Sequence, residues 1–322
     1  MAEKDNVVLF PKWKQMLESE SLQAMKSQKY EEALQKFDQL IEHDVKHQEI
    51  MIGKIICLME LGLYDQAEML AKSLIELEDD GYYHYMHIYL TILFQTNQYI
   101  ELIDLVSEVL KADDIPDVIK EQFLQLHAIS QEMNRDVQEK NSRKWTKAFQ
   151  NAIDKHEYIK QWNLIEKMRN NRLQPNEVII HSLTNEHVHP LVKTAILLWC
   201  KDKNIDQLIP VVKNKQSMSV NPATIYRPEE GAIQKEIQLK FKYLEQEDPT
   251  LHKMMTDVLK HYIYVRYPIA IKSSQVEPIT EALKSILHVQ ADTREPLNET
   301  LLKDYIEEMQ VCSALYLSII DE

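Results

Sequence analysis

The sequence predicts an all-α protein: an α-α superhelical stack of helical hairpins, followed by a second, mainly helical domain holding one small β-hairpin. Three observations predict it. The 322 residues include only four glycines, Gly53, Gly62, Gly81 and Gly231, too few for the tight turns that sheet-rich folds use. Apolar residues recur at offsets 3, 7, 10 and 11 from a tyrosine, which is one stripe of a helix. The stripe itself recurs every 34 or 35 residues over the first third of the chain, and such a period signals stacked repeats.

The three recurring segments are QKYEEALQKFDQLIE (28–42), GLYDQAEMLAKSLIE (62–76) and NQYIELIDLVSEVLK (97–111). Tyr30, Tyr64 and Tyr99 set the phase. Ala33, Ala67 and Leu102 follow at +3, and Phe37, Ala71 and Val106 at +7. Leu40–Ile41, Leu74–Ile75 and Val109–Leu110 close each stripe. A helix is expected before each segment, over about 13–27, 48–61 and 83–96, joined to it by a short polar or glycine turn.

These segments resemble the tetratricopeptide repeat family, whose unit is a 34-residue helical hairpin. The resemblance implies that Ala33 and Ala67 let two helices approach closely, and that Phe37 fills the groove between neighbouring hairpins. It departs from the family pattern at several places. The family's tryptophan position holds Leu17, Met51 and Met86, its closing proline position holds Val45, Asp79 and Asp114, and Leu102 is large where a small residue is usual.

The resemblance also implies a concave face, built by the first helix of each pair, that takes up an extended protein segment. Carried across, its inward positions are Glu18, Leu22 and Met25, then Glu49, Ile52, Ile56 and Met59, then His84, His87, Thr91 and Phe94. The positions of the family's carboxylate clamp are Glu18, Leu22, Gly53, His84 and Ile88, so the clamp is missing. The expected partner is a protein or peptide that brings apolar side chains, with basic ones beside them.

Beyond the repeats, Pro116 opens a helix carrying Ile119, Phe123, Leu126 and Met133, read as a cap on the array. Residues 134–143 (NRDVQEKNSR) are polar and aperiodic, so the domains are drawn as 1–140 and 141–322. Trp145, Phe149 and Ala152, then Tyr158, Trp162 and Ile165, indicate a helix pair. Asn185 or His189, followed by Pro190, starts a helix whose Leu191–Cys200 stretch is apolar on nearly every side, which predicts central burial. This stretch loosely resembles HEAT-type repeats. Leu208, Ile209, Val211 and Val212, a KNKQS turn, then Met218 and Val220 predict the hairpin. Asp248–Pro249 starts a helix stopped by Pro268, and two more are expected over about 277–289 and 297–319. The layout as a whole resembles a group of bacillar tetratricopeptide proteins to which no reaction is assigned.

Charge separates the halves. Residues 1–140 hold 13 Lys+Arg against 27 Asp+Glu, and the remainder holds 24 of each. An acidic N-terminal half disfavours nucleic acid and anionic membranes, which need basic residues against phosphate, and suits a basic or mixed protein surface. No signal-peptide stretch opens the sequence, and runs such as Ala195–Cys200 are far too short to span a bilayer. Cys57, Cys200 and Cys312 are few and far apart, which suggests a reduced cytoplasmic protein.

No catalytic motif is recognisable, and no cofactor is expected. Metal-spaced histidines occur at His43/His47, at His84/His87 and among His181, His187, His189 and Cys200. Surface and capping roles account for them. Ser182, Ser217 and Ser219 lie in no nucleophile elbow, and the carboxylate pairs Asp79/Asp80 and Asp113/Asp114 fall at repeat turns. Lys144, Lys147, Lys213 and Lys215 are too sparse for a nucleic-acid footprint. The aromatic run His261–Pro268 with Arg266 is expected to serve as core plus an interface belt. The expected function is a non-enzymatic scaffold or adaptor. The rivals are a peptide- or ligand-sensing regulator and a metal-dependent enzyme in 141–322. The family's peptide sensors carry a DNA-binding head, for which a repeat beginning near residue 14 leaves no room.

Overall fold

The computed structural model describes residues 11–77, 80–112, 115–289 and 299–320. Asp79, Asp113 and Asp114, expected at repeat turns, lie outside the described residues, as does the expected start of the last helix at 297. The described residues divide into two compact units, Met1–Val137 and Gln138–Glu322.

The first unit is a run of hairpins: α1 (Pro11–Lys26) with α2 (Tyr30–Glu42), α3 (Gln48–Glu60) with α4 (Tyr64–Ile75), and α5 (Tyr82–Gln95) with α6 (Tyr99–Val109). Each helix packs on the next, and α3 also touches α1 and α5. The stripe read from the sequence is the buried face. Ala33, Phe37, Leu40, Ala67, Ala71, Leu102 and Val106 are at most 0% exposed. The small residues allow close approach, and Gly53 goes further: the Phe37 ring lies against the α3 backbone where a Cβ at Gly53 would meet Cζ at 2.4 Å.

Most hairpin turns share one device. The N–H three residues past the helix end bonds back to a carbonyl five residues earlier, as in Lys29 to Ala24, Val45 to Leu40, Leu63 to Leu58 and Gln98 to Leu93, at 2.8–2.9 Å. This Schellman closure satisfies the last carbonyls and requires a left-handed residue just before the donor. That residue is Gly62 in one turn (φ +73°), but Gln28, Asp44 and Asn97 in the others. The same closure recurs in the second unit behind His156, Arg172 and Asn204.

Helix α7 (Asp117–Asp154) contains the division between the units. The polar stretch 134–143, read as a break, is helical throughout. Half of its residues, Arg135, Gln138, Glu139, Lys140 and Arg143, are good helix formers, Arg143 and Glu139 pair across one turn at 3.4 Å, and none of the stretch is buried. Missing apolar periodicity here means a solvated helix rather than a loop.

The second unit begins with the end of α7 and continues through α8 (Tyr158–Asn170), the short α9 (Glu177–His181) and α10 (Pro190–Asp202) to the hairpin of β1 (Ile209–Lys213) and β2 (Gln216–Val220). Five helices follow: α11 (Ala232–Lys240), α12 (Leu244–Glu247), α13 (Pro249–Arg266), α14 (Val276–Ile286) and α15 (Glu299–Leu317). The strands pair from Ile209↔Val220 to Lys213↔Gln216. Their two-residue turn, Asn214–Lys215, has φ of 48° and 60°, which marks a type I′ turn. One core surrounds Trp199 on α10, and another joins α11, α13, α14 and α15. Asp248 caps α13 through a 2.9 Å bond from Leu251 N–H, with Pro249 at the first helical position.

Candidate functional site

The eleven positions singled out on the first helices lie on α1, α3 and α5, and none of them is buried. Leu22, Glu49 and His84 are exposed, while Glu18, Met25, Ile52, Ile56, Met59, His87, Thr91 and Phe94 are half-buried. Helical geometry explains the pattern. Neighbouring positions such as Leu17, Met51, Ile55, Leu58, Met86, Leu90 and Leu93 turn into the core, which leaves offsets 3, 7 and 10 from Glu49 and from His84 on the other side.

Electrostatics are local along this face. Glu18 Oε1 lies 3.6 Å from His47 Nε2 and 3.8 Å from Lys14 Nζ. The His87 ring stacks near Phe123 at 6.3 Å. Burial, then the neighbouring His84, depresses its pKa below the ordinary imidazole value. Thr91 donates back to the His87 carbonyl at 2.9 Å, which takes its hydroxyl out of use as a free donor. Behind α5, Tyr89 donates to Glu101 at 2.7 Å and Lys72 reaches the same Glu101 at 3.7 Å, tying α4, α5 and α6 together.

In the second unit, His189 has a structural role. His189 caps α10, its Nδ1 accepting from Leu191 N–H at 3.2 Å while its backbone N–H donates to Gln161 Oε1 at 3.1 Å. Burial, then the Lys213 charge, pushes it down to about 4, so the ring stays neutral with its proton on Nε2. His187 packs on His156 at 4.5 Å. Burial pushes the Cys200 thiol up to about 12. Of the four residues His181, His187, His189 and Cys200, His189 is spent on capping and Cys200 on the core, while His181 and His187 are exposed. Among the described residues no three His, Cys, Asp or Glu side chains come together as a metal set.

Two buried lysines were not anticipated. Lys193 and Lys213 are 3% and 2% exposed. Lys193 donates to the Val212 carbonyl at 2.5 Å. Lys213 donates to Thr194 Oγ1 and the Tyr267 carbonyl, both at 2.5 Å, and Thr194 passes its proton bond on to the Tyr264 carbonyl at 2.6 Å. Burial, then the charge of Lys193, drives the Lys213 amine well below its ordinary range. From the sequence, Lys213 is grouped only with Lys144, Lys147 and Lys215, as lysines too sparse for a nucleic-acid footprint. The alternation Ile209, Val211, Lys213 is the signal that places it on the buried face of β1.

Comparison with known proteins agrees with the repeat geometry. Residues 24–87 match the family model described as Tetratricopeptide repeat. The chain is also 25% identical over 289 residues to the TPR repeat-containing protein YsoA of Bacillus subtilis (strain 168), covering 87% of this chain and 85% of that protein. No solved structure matches. No helix among the described residues is long and apolar enough to cross a membrane.

Proposed function

Because its N-terminal hairpins are tetratricopeptide repeats, a fold that generally mediates protein–protein contact, we propose that this protein is a scaffold that captures a partner segment on the face of α1, α3 and α5. One observation carries the reading: Ile52, Ile56, Met59 and Phe94 are large and apolar, yet the hairpin stack leaves all four half-exposed along adjoining helices. A partner's apolar side chains would remove this surface from water at about 25 cal/mol per Å². Glu18 and Glu49 at its margin favour basic groups in the partner, as does the acidic excess of residues 1–140.

The test uses full-length baits against the source cytosol at low and high salt: wild type, Ile56→Glu, and Met69→Glu, which alters an exposed residue of α4. A partner retained by wild type and Met69→Glu, lost by Ile56→Glu and weakened by salt is the expected result. Equal capture by Ile56→Glu would remove the site from this face. Unchanged melting temperatures for both variants show that folding is not the cause.

A further inference from the structure

The second unit contains a cavity of about 510 Å³, walled by the loop Thr224–Pro228, the start of α11, the end of α13 and the segment Tyr267–Ile271. Three features distinguish it. Its walls are mainly aliphatic, including Ile233, Ile263 and Ile271. Its charged wall residues are Arg227 and Arg266, with no carboxylate among them. Gln234 Oε1, Arg266 Nε and the Tyr267 hydroxyl are buried without a hydrogen-bond partner, and all three residues line this one cavity.

Buried polar atoms are nearly always satisfied, and each orphan costs about 1–3 kcal/mol. Three orphans around one cavity therefore describe the complement of a ligand. Arg266 is held in place rather than spent: one terminal nitrogen meets Glu308 Oε2 at 3.2 Å and donates to the Tyr262 hydroxyl, while the guanidinium lies over the Tyr262 ring at 4.8 Å. Arg227 pairs with Asp202. Nearby Glu229 accepts from Tyr264 at 3.0 Å, and Glu230 from the Arg227 backbone N–H at 3.0 Å. Burial keeps the Tyr267 phenol protonated well above its ordinary range, so it serves as a donor. The orphans thus comprise two donors and one acceptor.

We propose that this cavity binds a compact carboxylic acid with an aliphatic body and one amide N–H. The carboxylate takes the Arg266 Nε–H and the Tyr267 hydroxyl, the N–H meets Gln234 Oε1, and the body fills the isoleucine-lined wall. A free N-acylated aliphatic amino acid has this chemistry, as does the C-terminal residue of a peptide ending in one. The site is independent of the repeat face.

Calorimetric titration of the full-length protein tests it, with four probes: N-acetyl-leucine, its carboxamide, a short peptide ending in leucine, and the same peptide amidated. Saturable binding of an acid but not of its amide is expected, weakened roughly tenfold by Tyr267→Phe and by Gln234→Leu. Tyr267→Phe should also raise the melting temperature of the free protein, because it removes an unpaired hydroxyl, and so reports intact folding. Tighter binding of the peptide acid assigns the natural source to a chain terminus, and binding of N-acetyl-leucine alone assigns it to a free acid. Failure of both acids to bind, equal binding of the amides, or affinities unchanged in both variants would overturn the proposal.

Discussion

Gly53 shows how much one hydrogen atom decides. In an exposed helix interior, glycine to alanine stabilises by about 1 kcal/mol. Here the added Cβ would stand 2.4 Å from Phe37 Cζ, and the ring, 0% exposed, has no room to retreat. Gly53→Ala should therefore destabilise by about 1–3 kcal/mol, read from urea midpoints, with Phe37→Leu relieving part of the loss in a double-mutant cycle. An increase in stability would mean that the close approach is not obligatory. Lys193 makes a different demand. Burial pushes its amine down to about 8 from an ordinary 10.5, so between those values the unfolded chain binds more protons than the folded one. Stability from this group therefore rises with pH across that window, by up to about 3 kcal/mol. Relative to Lys193→Met, the wild type should gain melting temperature on going from pH 8 to 10.5. The buried thiols and phenols weaken both proteins alike at high pH and drop out of the difference. A difference that stays flat would mean the amine is not desolvated.

At the level of the element, the helices were readable because their stripes are regular, and the turns between them were not. Left-handed positions are ordinarily marked by glycine, but this chain fills them with Gln28, Asp44, Asn97, His156, Arg172 and Asn204. The glycine shortage pointed to helices; it hid which turn residues are left-handed, although the ends of α1, α3 and α5 fall within one residue of those read from the sequence. Gln28 is exposed, and its neighbour's N–H closes the turn at 2.9 Å whatever side chain it bears. Gln28→Gly should raise stability by about 0.5–1 kcal/mol, and thermal denaturation measures it; a fall would show that the glutamine side chain contributes more than its backbone strain. The hairpin of β1 and β2 is legible from its change of period, whereas the continuity of α7 is not, because its solvated middle stretch 134–143 carries no apolar stripe.

Across the whole molecule, legibility followed sequence distance. The eleven positions of the repeat face come from the tetratricopeptide resemblance, whose inward positions carry across helix by helix. The cavity brings Gln234 together with Arg266 and Tyr267 from different elements, and nothing local to either stretch marks them as a set. The Lys193–Lys213–Thr194 bonding, which ties α10 to β1 and to the end of α13, is non-local in the same way. The hairpin stack has a further consequence. In a one-dimensional array each hairpin is held by its neighbours. The third is backed by α4 on one side and by Phe123 of α7 on the other, whereas among the described residues α1 and α2 lean mainly on α3. Opening therefore runs like a zipper from the first hairpin inward, with the interior pairs as the last to part. Glu18, Leu22 and Met25 ride on that leading tooth, so whatever settles against them also latches the end of the array shut.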